Sequence, residues 1–348
     1  ASDVYKRQAL ALTESTNRYE LADFSEYNDI FLLHNSSGKL NGVKESIFME
    51  NIKDYSGRWR WNMVNDFRPQ SIEYSGIKCY PTANYVNYYG MQNGYPINDM
   101  TKADAESGYD PTHPWKNRDP RFYKTIMFDG VKWKSTGGAG GTAELFTGGR
   151  ESEEANEKKG CFTAYMNSKL CPQLMNTVDG YKENNIMILS LMRLADVYLM
   201  YAEATAVGYN GPKGKAATYS LTAEEALNKI RERAGVAPVL DKFLGSTADF
   251  LSELRRERAV ELSFEGFRFI DLRRWMLLTQ YPYTLKTKIE FDRADPSDYN
   301  YDEPEENAIK NLREVVLLER KYTDRHYWYP LPKKDVSMYE GFYQNPGW

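Results

Sequence analysis

The stretch "LSELRRERAVELSFEGFRFIDLRRW" (251–275) decides how this chain is read. Glu253, Glu257, Glu261 and Glu265 recur at four-residue intervals, with arginines and large apolar residues between them. On an α-helix each step of four advances about 400°, a drift of about 40°, so the four carboxylates sweep about 120° of one face. A metal cage, a catalytic carboxylate pair and a structural ion-pair set all fit that stripe. A di-metal bundle site needs histidine in Glu-x-x-His spacing, and no His lies between His113 and His326. Catalytic carboxylates usually face each other across a cleft from different elements. The arginines give the simpler account. Arg256 stands three after Glu253 and Arg258 three before Glu261, the spacing of helical neighbours. Arg268 and Arg273 are placed to reach back from beyond Gly266. Because an unpaired buried charge is costly, the stripe reads as stitching between a helix and its surroundings.

Working outward, the second half of the chain reads as helical. "NNIMILSLMRLADVYLMYAEATAVG" (184–208) is apolar nearly all round, which predicts a helix buried on most sides. Thr222 and Glu225 form a capping box that opens "AEEALNKIRERAG", and Gly235 supplies its left-handed stop. Ser246 or Thr247 then caps the 251–275 helix. Two such consecutive helix pairs resemble a layer of a helical-hairpin solenoid. The first half is loop-rich, with strand-like runs at 45–52 and 122–134. The second run carries Asp129-Gly130 between two apolar halves, which predicts a hairpin. Residues 135–160 hold seven glycines and many charges and read as a solvated loop. Its "GGAGGTA" fits GxGxxA from Gly138 to Ala143, but no amphipathic helix or second strand follows, so it is read as loop and not as a dinucleotide site.

Composition narrows the function classes. A net charge of −4 argues against a nucleic-acid partner. Aromatics reach 14% with 27 tyrosines, and rings with one apolar face and one polar edge suit half-wet binding surfaces. Cys79, Cys161 and Cys171 cannot all pair with one another, and no CxxC occurs, so the redox compartment stays open. No metal site and no cofactor is expected. "ASDVYKRQ" (1–8) reads as a leader foreign to the protein, with one domain over 9–348 whose N-terminal helices are missing.

Three motifs, "LMRLADVYLMYAEA", "ALNKIRERAGV" and "ERAVELSFEGFRFIDLRRW", follow one another in an order and spacing that resembles the SusD/RagB family of outer-membrane nutrient-binding lipoproteins. "CYPTANYVNYYGMQNGYPI" (79–97), "NRDPRFYKTIMFDG" (117–130) and "YWYPLPKKDVSMYEGFYQNPGW" (327–348) resemble further family segments. The resemblance implies a mainly α fold, with tetratricopeptide-like helix pairs carrying a loop-rich binding face and a few short strands. It implies a non-catalytic protein held on the cell surface by an N-terminal lipid-bearing Cys, absent from this sequence. Such a protein binds oligo- or polysaccharide, or another nutrient, and serves a SusC-like TonB-dependent transporter. Glu257, Arg258, Glu261, Glu265, Gly266 and Arg268 match the family's fold signature, which implies a structural role for them.

For the ligand, aromatic plates must meet the C–H faces of sugars and polar side chains their rims. "SGRWRWNMVNDFRPQ" (56–70) supplies both: Trp59 and Trp61 fall on one side of an extended segment, with Arg58, Asn62, Asn65 and Asp66 beside them. Tyr74 and Trp115 are further candidates, while Tyr80, within the Pro-Thr motif, reads as structural. Two other readings stand beside glycan binding. One is a glycoside hydrolase using Asp66 with Glu73, the other a helical scaffold for a protein partner.

Overall fold

The computed structural model describes residues 2–33, 42–49, 80–135, 138–155, 157, 160–170 and 186–348. In chain order the elements used below are helix α1 (Ser2–Thr16), strands β1 (Leu32–Leu33) and β2 (Ser46–Met49), and helices α2 (Ala83–Val86) and α3 (Pro120–Thr125). Strands β3 (Ile126–Met127), β4 (Met166–Asn167), β5 (Ile186–Met187) and β6 (Ser190–Arg193) precede helices α4 (Leu194–Gly208), α5 (Ala223–Ala234), α6 (Thr247–Glu261) and α7 (Phe267–Arg274). The long strands β7 (Leu285–Arg293) and β8 (Ile309–Glu319) and the short helix α8 (Lys333–Met338) complete the order. The fold is mainly α. Among the described residues the strands form four antiparallel pairs, β1–β5, β2–β6, β3–β4 and β7–β8. No described helix is long and apolar enough to cross a membrane.

Helix α4 lies at the centre of the helical layer, against α1, α5 and α6. Most of its residues are buried, as its nearly uniform apolarity requires. Leu10, Leu199, Ala202, Leu227, Ile230, Phe250 and Leu254 share its core. Its extent differs from the sequence expectation. The chain is extended through Ser190–Arg193, where it pairs with β2, and turns helical only at Leu194. Apolarity alone does not separate a buried strand from a buried helix. Helix α5 carries the complete Thr222–Glu225 capping box and ends on Gly235 at φ 71°, while Ser246 caps α6 by accepting from the Asp249 amide.

A second core gathers Trp115, Phe122, Phe128, Trp133 and Phe291. Helix α3 starts here because Asp119 accepts from the Arg121 amide and Pro120 occupies the first turn, where a missing N–H costs nothing. The expected 122–134 hairpin does not form. Residues before the Asp129-Gly130 turn enter α3 and β3, and β3 pairs with β4 instead. Gly130 keeps its turn conformation at φ 83°, but its amide donates to Ala143 O. Nor is 135–160 wholly solvated, since Thr142, Ala143, Leu145 and Glu151 are buried. Gly138–Gly141 makes a single helical turn.

Strand β7 alternates cleanly. Thr287, Ile289, Phe291 and Arg293 are buried, Ile289 and Phe291 in the second core, and the intervening side chains face the other way. This hairpin and α2, α6 and α7 frame the face described next.

Candidate ligand-binding face

The glutamate stripe of α6 is a ladder whose rungs are cations from other elements. Arg231 of α5 bridges Glu253 and Glu257. Arg121 of α3 bridges Glu257 and Glu261, the latter at 2.9 Å. Arg193, at the end of β6, bridges Glu261 at 2.7 Å and Glu265 at 2.8 Å. Lys169 closes the row on Glu265 at 2.7 Å, and Arg233 is the third cation on Glu261. The side chains of these carboxylates and guanidinium groups are almost wholly shielded from solvent. Burial pushes the Glu261 carboxyl up, but Arg233, Arg193 and Arg121 outweigh it and hold the group well below the usual carboxylate range. Glu253, Glu257 and Glu265 are lowered by the same contest between burial and neighbouring cations. Burial brings the Lys169 ammonium down to about 8. A carboxylate held ionised by several buried cations is poorly suited to proton transfer near neutrality.

The pairings differ in part from those expected along one helix. Arg256 does meet Glu253. Arg258 instead binds Asp196 at 2.8 Å and Asp271 at 2.9 Å, because Glu261 is already held by three other cations. Arg268 and Arg273 do not reach back to the glutamates. Arg268 lies over the rings of Tyr88 and Tyr283, and Arg273 over that of Tyr329. Gly266 turns the chain between α6 and α7 at φ 89°, with open space where a Cβ would stand. Its requirement for glycine is therefore one of backbone conformation.

Trp115 is corrected as a ligand contact. It is fully buried, stacked on Phe128 at 5.0 Å and edge-on to Phe291 at 5.3 Å, so it offers no free ring face. Arg58, Trp59, Trp61, Asn62, Asn65, Asp66, Glu73 and Tyr74 lie outside the described residues. Cys161 is a buried thiol 3.1 Å from Tyr165 O. Among the described residues no three His, Cys, Asp or Glu side chains are grouped to hold a metal.

Two cavities open between the hairpin and the helices, and Arg268 and Tyr283 line both. The first, of about 560 Å³, is bordered by α2, the 96–98 loop, α6 and β7. Asn84 ties α2 to β7, its backbone N–H donating to Thr287 Oγ1 at 2.9 Å and its Nδ2 donating to Leu285 O at 2.8 Å. Asn87 Oδ1 is a buried acceptor with no hydrogen-bond partner among the described residues. Tyr281 stands 76% exposed at the rim.

The second cavity, of about 470 Å³, is rich in aromatic side chains. Tyr85, Phe264, Phe269, Tyr283 and Tyr322 wall it, and Tyr80 stands at its edge. Tyr80, read from sequence as structural, is thus also a cavity residue. Tyr85 is fixed by its hydroxyl, which donates to Ala259 O at 2.6 Å. Flat rings beside amide and guanidinium groups supply the surfaces that a sugar's faces and hydroxyls require. The sequence reading missed Asn84, Asn87, Tyr283, Lys286 and Tyr322. Their general signal was the tyrosine excess; their convergence comes from contacts distant in the chain.

The SusD family profile matches residues 44–348. The chain belongs to the SusD family. Among solved structures it is similar to a SusD-like protein from Bacteroides fragilis, at TM-score 0.66 and 22% identity over 95% of this chain and 59% of that one. A SusD-like carbohydrate binding protein from the same organism matches at TM-score 0.61 and 19% identity, again over 95% and 59%. The chain therefore spans about six tenths of the length of these structures. A search of curated proteins finds no match.

Proposed function

We propose that this chain is the larger part of a non-catalytic, cell-surface glycan-binding protein. In this reading it holds an oligosaccharide, or another nutrient, and passes it to a SusC-like TonB-dependent transporter in the outer membrane. A lipid-bearing N-terminal Cys, upstream of the present sequence, anchors it. The observation that carries the reading is family membership over 44–348, on a chain whose described face holds two adjoining cavities of aromatic and amide side chains. That the similar Bacteroides fragilis structure is described as carbohydrate binding supports the ligand class. Trp59 and Trp61 extend the proposal as stacking plates, flanked by Arg58, Asn62 and Asp66, with Tyr74 farther along.

The test is glycan binding by the parent chain and by Trp59→Ala and Trp61→Ala, measured by affinity electrophoresis and titration calorimetry. At least one substitution is expected to weaken binding clearly while shifting stability by only about ±0.5 kcal/mol, the usual effect of an exposed change. Unfolding of both variants, or unchanged affinity in both, would move the plates elsewhere. Failure of the parent to bind any oligosaccharide would overturn the reading itself.

A further inference from the structure

Arg268, Lys286 and Arg320 converge on the aromatic cavity, which has no Asp or Glu in its lining. None of the three makes an ion pair with a carboxylate among the described residues. Arg268 rests on tyrosine rings and donates to Arg255 O at 3.5 Å. Arg320 donates to the Tyr322 hydroxyl at 3.2 Å. The hairpin register brings two of them together. Lys286 stands opposite Leu318, so Arg320, two residues on, is its diagonal neighbour on the same face. The α6 ladder is the contrast within the same molecule, since there each buried cation is met by carboxylate oxygens. Three like charges around one aromatic hollow, in a chain of net charge −4, repel one another and favour an incoming anion. Burial, then Arg320 and Arg268, bring the Lys286 ammonium down to about 8.

We infer that this cavity recognises an acidic sugar, with Tyr85, Tyr283 and Tyr322 against the ring and Arg268, Lys286 and Arg320 around its carboxylate or sulfate. A guanidinium fork matches the geometry of either anion, and the half-buried Lys286 adds a point charge. The ligand of this chain is then a uronic-acid or sulfated glycan. The inference rests on the glycan-binding reading above and narrows it.

The experiment is binding of the chain to immobilised oligogalacturonate, alginate, hyaluronan, chondroitin sulfate and heparin fragments. Each is paired with its carboxyl-reduced or desulfated counterpart, and neutral glucans, galactans and mannans are included. At least one acidic member is expected to bind about tenfold or more tighter than its neutral counterpart, a difference of one factor of ten in Kd. That binding should weaken as salt rises. Lys286→Met and Arg320→Ala should each reduce it about tenfold without moving the melting temperature. The Arg320 change is on an exposed residue and tests the charge where folding is least at risk. A carboxylate hit with no sulfate hit, or the reverse, identifies the anion. Binding confined to neutral glycans, or acidic binding unchanged in both variants, would overturn the inference while leaving glycan binding in place. No binding to any member would overturn both.

Discussion

Glu261 is the most heavily met carboxylate of the α6 ladder. Its carboxylate takes Arg121, Arg193 and Arg233, and its carbonyl takes Arg193, Lys169 and Tyr27. Glu261→Ala would leave three buried guanidinium groups facing a void. A loss of about 3–5 kcal/mol is expected, as when one partner of a buried pair is removed. Chemical denaturation measures it, and titration of the folded fraction should find ligand affinity unchanged. Affinity lost at an unchanged melting temperature would place Glu261 in the binding site instead. The carboxylate stripe was legible at this scale as a structural device, because four-residue spacing and interleaved arginines constrain a helix strongly. The partners were not legible. Arg121, Arg193 and Arg231 lie far from α6 in sequence, and no local pattern states which distant cation fills which gap.

The α6 ladder also sets a pH dependence for the element as a whole. Glu253, Glu257, Glu261 and Glu265 are lowered in the folded protein from an unfolded value of about 4.3. Their contribution is therefore complete above that value and is lost as pH falls through the folded pKa values. Glu151 and Asp196, pushed up by burial, act in the opposite sense, so the observed fall is a net effect. The denaturation midpoint is expected to hold from pH 7 to about 5 and to drop steeply below about pH 4. A midpoint that stays level to pH 3 would contradict this account of the ladder. Element legibility followed the strength of local signals. The caps at Thr222, Gly235 and Ser246 read correctly because each satisfies orphan backbone groups with its own side chain or conformation. The 122–134 hairpin and the start of α4 misread because tertiary pairing, of β3 with β4 and of β6 with β2, decided them.

At the scale of the molecule, one set of residues joins scaffold and face. Arg268, which the sequence resemblance implies is a fold-signature residue, has its guanidinium over Tyr88 and Tyr283 and lines both cavities. The α6–Gly266–α7 turn that the ladder fixes is therefore also what presents this charge to the two cavities. The family was legible because its motifs are long and ordered along the chain. The described cavities were not, because Asn87, Tyr283 and Lys286 meet only through the packing of the hairpin against α2 and α6.

The proposed function is to hold glycan without cleaving it. It is tested most directly by incubating the protein with polysaccharides that it retains in affinity electrophoresis and following released reducing ends over time. Retention with no release above the protein-free control is expected. Sustained release, abolished by substituting Asp66 or Glu73, would make the chain a hydrolase and contradict the account.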